Sequence, residues 1–213
     1  MVSSHPDVEA LTRVVPPDSG VDEAIDWDAV EAEWGTRLPS DYQAFMATYG
    51  CGSIWDLGIL RPLPYKGRPT QWFSTIADET PTIRHLWDES VAALGTGLGA
   101  DAVLPWGDGC NGALMGWLTN SPDPDQWPVV VWARHGSPRW TLHTCGMAAF
   151  LRRLLLTEFD TNPLSDDTLW GNVEPFVHWR EAQRRYFAGL DTLTGEPDPY
   201  ADMYPADPRE FVA

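Results

Sequence analysis

The stretch from Trp34 to Ile54 constrains this chain more than any other, because a helix start, an apolar stripe and a glycine corner succeed one another in one short span. Ser40 is placed to cap a helix, and Gln43 to reach back to the capping residue's own amide, which makes a capping box. Tyr42, Phe45, Met46 and Tyr49 then fall at i, i+3, i+4 and i+7, a single stripe with Asp41, Gln43 and Thr48 elsewhere on the wheel. Such a stripe needs a sheet to lie on. Gly50 supplies a left-handed terminus, and Gly52 frees the backbone to turn into Ser53, Ile54 and Trp55, the first predicted strand.

Upstream, Val8, Leu11, Thr12 and Val15 predict a short helix after Pro6. Pro16 and Pro17 end it and residues 18–20 form a linker, so residues 1–20 read as a detachable leader. Asp26 caps a second helix with Trp27, Val30 and Trp34 on one face and Gly35 closing it. Downstream, Leu57 to Pro64 reads as a second strand ended by its prolines and residues 65–75 as loop. The next helix runs from Pro81 to Ala93, broken by the glycines between Gly95 and Gly99.

From Ala102 the apolar period shortens. Val103 to Trp106, Ala113 to Thr119, Pro128 to Trp132 and Arg139 to His143 predict an antiparallel meander, with a tight turn over Gly107 to Gly112. Thr144 caps a helix whose Met147, Phe150, Leu151, Leu154 and Leu155 mark one face, and which should lie beside the helix that begins at Ser40. Pro175 opens a last helix with Phe176, Trp179, Gln183 and Phe187 in line, and an acidic, Pro-rich tail comes after it. The expected fold is α+β, one domain over residues 21–160 with a largely antiparallel or mixed sheet flanked by helices. Residues 161–213 form a helical extension and tail.

Charge ranks the partners. The chain carries 31 carboxylates against 14 basic residues, of which Lys66 is the one lysine, for a formal net charge of −17. Nucleic acid and anionic membrane are poor partners for such a field, whereas a basic protein is steered toward it. Cys51, Cys110 and Cys145 are odd in number and far apart, which argues for a reducing compartment. The opening residues predict no signal peptide and no stretch is long enough to span a membrane, so a cytoplasmic location is expected.

Signals for chemistry are sparse. His143 and Cys145 are the one close pair of metal-ligating type, with no Cys-x-x-Cys to complete a zinc site. Gly107, Gly109 and Gly112 match a dinucleotide fingerprint in spacing, but strand residues come next where a helix is needed and Asp108 sits where a pyrophosphate would approach. No catalytic residue, metal or cofactor is therefore expected. Trp106, Trp117, Trp132 and Trp140 read as core. Trp55 and Trp72, near loops, read as interface candidates, and Asp56, Asp101, Asp108, Asp123 and Asp125 are the turn carboxylates able to meet a basic partner.

The ordered set Trp34-Gly35, Leu38-Pro39, Asp41-Tyr42, Phe45, Tyr49-Gly50-x-Gly52, then Leu104-Pro105-Trp106-Gly107, Asn111-Gly112, Trp117, Pro128-Val129-Val130 and Phe150-Leu151 resembles the SUKH superfamily. That superfamily includes the fungal cell-wall-synthesis regulators of the Smi/Knr type and many bacterial immunity proteins. The resemblance covers roughly residues 26–156. It implies an α+β domain without catalytic residues that binds a protein: a polymorphic toxin in the immunity proteins, or signalling partners in a regulatory scaffold. A basic toxin domain such as a nuclease fits the charge; the resemblance leaves oligomeric state open.

Overall fold

Each strand pairs antiparallel with its neighbour, so the first six strands grow as a meander, and the chain then crosses to the far edge, where the seventh strand joins the first. The computed structural model describes residues 4–17, 23–64, 72–90, 94–109 and 111–203. The expected linker at 18–20, most of the 65–75 loop, the helix end at 91–93, Cys110 and the tail from Tyr204 lie outside the described residues. The strands are β1 (Gly52–Ile54), β2 (Leu57–Ile59), β3 (Val103–Gly109), β4 (Leu114–Leu118), β5 (Val129–Trp132), β6 (Trp140–His143) and β7 (Phe176–His178). They stand in the order β6-β5-β4-β3-β2-β1-β7. The helices are α1 (Pro6–Thr12), α2 (Trp27–Trp34), α3 (Ser40–Thr48), α4 (Ile76–Ser90), α5 (Met147–Leu155) and α6 (Trp179–Phe187). The fold is α+β.

Pleating sorts the side chains onto two faces. One carries Ile54, Leu57, Ile59, Trp106, Met115, Trp117, Val129, Val131 and Phe176 against α3 and α5, and this is the main core. Tyr42, Phe45, Met46 and Tyr49 of α3 are at most 1% exposed there, so the opening stripe is scaffold. Tyr42 meets Trp117 edge-on at 5.1 Å, and Tyr49 meets Phe176 at 5.2 Å. The other face carries Val103, Leu114, Leu118, Val130, Trp132 and Trp140 under Ile83 and Trp87 of α4. The four tryptophans expected in the core are all buried.

Asp26 caps α2 and Gly35 closes it as expected, but the starts of α3, α4 and α5 are held differently from the sequence expectation. Ser40 makes no capping box: the cap residue is Pro39, without a side-chain bond, and the Gln43 amide donates to the Leu38 carbonyl at 2.7 Å. The Ser40 N–H instead donates to Asp125 Oδ1 at 2.6 Å, a partner 85 residues downstream that no local pattern reveals. A reciprocal Thr-x-x-Asp cap does occur, between Thr75 and Asp78, and it starts α4 at Ile76 instead of Pro81. Asp41 is not on an outer face. It is 4% exposed, and its Oδ2 accepts from the Ala148 N–H at 3.0 Å, capping α5. Gly146 makes room for it, since a Cβ there would stand 2.5 Å from that oxygen.

Three further expectations are corrected. The leader is not detachable: Val8, Leu11 and Val15 are at most 3% exposed, and the Tyr49 hydroxyl donates to the Val15 carbonyl at 2.6 Å. The turn placed over Gly107 to Gly112 is strand as far as Gly109, because Gly107, Asp108 and Gly109 pair with Ile59, Gly58 and Leu57 of β2. Pro175 opens no helix; β7 comes first, pairs with β1, and α6 begins at Trp179. Both strand pairings are non-local, and a three-residue strand is too short to show alternation.

Asp41→Ala should cost about 1–3 kcal/mol, the loss of one buried cap to α5. Asp41→Asn keeps an acceptor oxygen and should recover most of it. Urea denaturation of the two variants measures the difference, and equal losses would rule out the cap as the source of the stability.

Candidate functional site

The α4 face of the sheet is only partly covered. α4 lies over β3 to β6, while the β1, β2 and β7 end carries Ser53, Gly58 and Val177 in register with one another and with Asp108. Small residues there leave a groove of about 310 Å³. Trp55 and Asp56, the two residues of the β1–β2 hairpin turn, border one end. Trp72, Phe73 and Ser74, just before α4, border a second side, and Trp179 and Ala182 of α6 a third.

One extra residue in β3 aims Asp108 into this groove. Pro105 pairs with Gly116 and Gly107 with Met115, so the ladder skips Trp106 and a β-bulge results. Strict alternation from Trp106 would send Asp108 into the main core. After the bulge it lies opposite Leu114, on the α4 face. Gly58 lacks the Cβ that would stand 2.5 Å from Asp108 Oδ1, so the carboxylate folds down over the β2 backbone.

Burial, with the charge of Glu79 from α4 adding to it, pushes the Asp108 carboxyl up from 3.8 to about 6. Glu79 is itself raised, by burial first and then by Asp78. Trp55 has φ of +51°, a left-handed conformation that strains a bulky side chain and suits Gly or Asn. The sequence therefore keeps a tryptophan and a half-buried carboxylate where neither favours folding.

The aromatic walls are braced from behind. Trp72 packs edge-on with Tyr186 at 5.1 Å, and Phe73 with Trp179 at 5.3 Å. The Trp179 indole N–H donates to Glu23 Oε1 at 2.9 Å, and the other carboxylate oxygen accepts from the Cys51 N–H at 2.9 Å. Glu23, with a side chain 1% exposed, also pairs with Arg61 at 3.7 Å. Arg61 in turn donates to the carbonyls of Leu63 and Pro64. A single buried carboxylate thus links the segment before α2, β1, the chain after β2 and the first turn of α6.

Of the seven residues expected to meet a partner, Trp55, Asp56, Trp72 and Asp108 share this groove. The other three lie elsewhere. Asp101 is exposed in the short turn before β3, where its carbonyl accepts from Arg84 at 3.4 Å. Asp123 accepts from the Asp125 N–H at 3.2 Å and Asp125 caps α3, so both serve the chain's own fold on the opposite layer. Sequence reading missed Phe73, Glu79 and Trp179, and took Gly58 only as strand. Their association depends on the β1–β7 and β2–β3 pairings, although the aromatic pair Trp72-Phe73 before a Thr-x-x-Asp cap was a usable signal.

Among the described residues, no group of three or more His, Cys, Asp and Glu is arranged to hold a metal ion, and no helix is long and apolar enough to cross a membrane. The arrangement offers aromatic faces and carboxylates, which attract a cation or a basic surface. Residues 23–153 match the model of the SMI1 / KNR4 family (SUKH-1). The chain belongs to that family. No curated protein and no solved structure gives a significant match. The span matched to the SMI1 / KNR4 family begins at Glu23 and includes α2 to α4, β1 to β6 and α5 as far as Arg153. It therefore supplies Trp55, Asp56, Gly58, Trp72 and Asp108, whereas Val177, Trp179 and Ala182 come from beyond it.

Glu23→Ala removes the carboxylate that faces the buried Arg61 and the Trp179 indole, and should cost about 3–5 kcal/mol in urea denaturation; a loss below 1 kcal/mol would refute the bracing role. Asp108 works in the other direction. The folded state holds its proton more tightly than the unfolded chain does, so its contribution falls as the pH rises from about 4 to about 6, and the full cost of up to about 3 kcal/mol stands above that. Asp108→Asn should then stabilise the protein at pH 8 and change little near pH 4.

Proposed function

We propose that this SMI1 / KNR4 protein is an intracellular protein-binding domain of the immunity type, which neutralises a polymorphic toxin by covering its basic active surface. Catalysis has no part in this reading. The observation that carries it is the groove at the β1, β2 and β7 end of the sheet, where Trp55, Trp72 and Phe73 stand beside Asp56 and Asp108 in a chain of net charge −17. Tryptophan supplies large desolvated contact area, and carboxylates beside it repel nucleic acid while attracting the basic surface of a protein such as a nuclease. Membership of the SMI1 / KNR4 family supports the same reading. Long-range attraction raises the association rate and fades with salt, whereas the aromatic contacts govern how long the complex lasts.

The test is co-expression and pull-down with the product of the neighbouring gene. Rescue of growth and a complex that weakens as salt rises are expected. Asp56→Asn with Asp108→Asn should slow association roughly tenfold at low salt, while Asp101→Asn, which lies outside the groove, should leave it nearly unchanged. No rescue and no complex at low salt would overturn the toxin reading; binding to a basic protein without toxic activity would point to a regulatory scaffold instead.

A further inference from the structure

The groove differs in build from a generally acidic surface. Its floor carries one carboxylate, Asp108, lowered into the space that Gly58 leaves open, and Trp55, Trp72 and Trp179 border it, the Trp179 ring already lying under the Arg180 guanidinium at 5.0 Å. The volume of about 310 Å³ is at the lower end of ligand pockets, enough for one long side chain entering end-on. Among the described residues no Lys or Arg forms an ion pair with Asp108. Aromatic walls around a recessed carboxylate suit a planar delocalised cation, because a guanidinium stacks on indole faces and donates two parallel bonds to a carboxylate. An ammonium is a more strongly hydrated point charge and gains less from stacking.

We infer that the groove is a receptor for one arginine side chain of the protein partner, with Asp108 as the carboxylate that takes its guanidinium and Trp55 and Trp72 as the stacking faces. This rests on the protein-binding reading above and names the residue type that enters the site. Gly58 is then a positioning residue, since it acts through the carboxylate it makes room for. The backbone beneath is unaffected by that carboxylate's movement, because only the far end of a side chain must shift when a Cβ is added at position 58.

The experiment titrates the intact protein with N-acetyl-arginine amide while the indole N–H signals of its tryptophans are followed by NMR. Saturable shifts confined to Trp55, Trp72 and Trp179 are expected, in the millimolar range for a single side chain. The uncharged citrulline analogue should produce none, and the lysine analogue should bind several-fold more weakly. Asp108→Asn should weaken arginine binding roughly tenfold or more, the effect of losing a charge-assisted pair. Gly58→Ala should do so as well while its urea midpoint stays near that of the parent chain, which separates a displaced carboxylate from a damaged fold. Shifts of equal size with citrulline, or an unchanged affinity in Asp108→Asn, would overturn the proposal. Those results would leave protein binding intact, because the pull-down does not depend on which residue enters. A partner captured as tightly by Asp108→Asn as by the parent chain would likewise overturn the arginine assignment and spare the broader reading.

Discussion

Helix α3 holds the molecule together through polar atoms that its buried side chains carry to distant parts of the chain. The Tyr42 hydroxyl donates to the Leu60 carbonyl at 2.6 Å, the Tyr49 hydroxyl to Val15, and the Asp41 carboxylate accepts from the first turn of α5. Each bond ends on an element that the apolar stripe alone would leave free to slide. Apolar burial supplies most of the driving force, roughly 1.5–3 kcal/mol for each large side chain removed from water. It is non-directional, however, and the three hydrogen bonds fix where each element sits, because leaving any of these donors or acceptors unmet inside the core costs more than the bond's own net contribution.

The groove arises from the opposite choice at the other end of the sheet. Where α3 and α5 cover one face with interlocking aromatics, the outer strands present Ser53 and Gly58 to the other face, and no helix of the described residues lies over them as α4 lies over β3 to β6. A bulge, a missing Cβ and a left-handed tryptophan coincide there. Each is unfavourable for folding on its own, and all three are supported by a rigid surround that includes the Glu23 carboxylate behind Trp179.

Most of the fold was readable because its signals are local. The α3 and α5 stripes, the Val129 to Trp132 run and the family residues from Trp34 to Gly52 each lie within a window of a few turns or one strand. The features that escaped depend on pairing at long range. Asp125 capping α3, Asp41 capping α5, β3 running on through Gly109 and β7 joining β1 are all contacts between residues far apart in sequence. Trp55, Asp56, Trp72 and Asp108 were recognisable as surface candidates from their turns, yet nothing in the sequence distinguished them from Asp123 and Asp125. A carboxylate that caps a helix and one that faces an open groove look the same until the register is known.

The groove is assembled from two parts of unequal freedom. Its floor and the Trp55 and Trp72 sides belong to strands and a helix start locked into the common domain, whereas the Trp179 side arrives on the C-terminal polypeptide beyond it. That C-terminal segment is fastened by Phe176, 2% exposed against Phe45 and Tyr49, by the pairing of β7 with β1 and by the Trp179 bond to Glu23, and beyond Trp179 it runs mostly over the outside. The part of α6 after Trp179 therefore shapes one wall without entering the aromatic centre. In such a construction one wall of the groove belongs to a separate stretch of chain from its floor, much as a fixed jaw stands against a separately mounted plate.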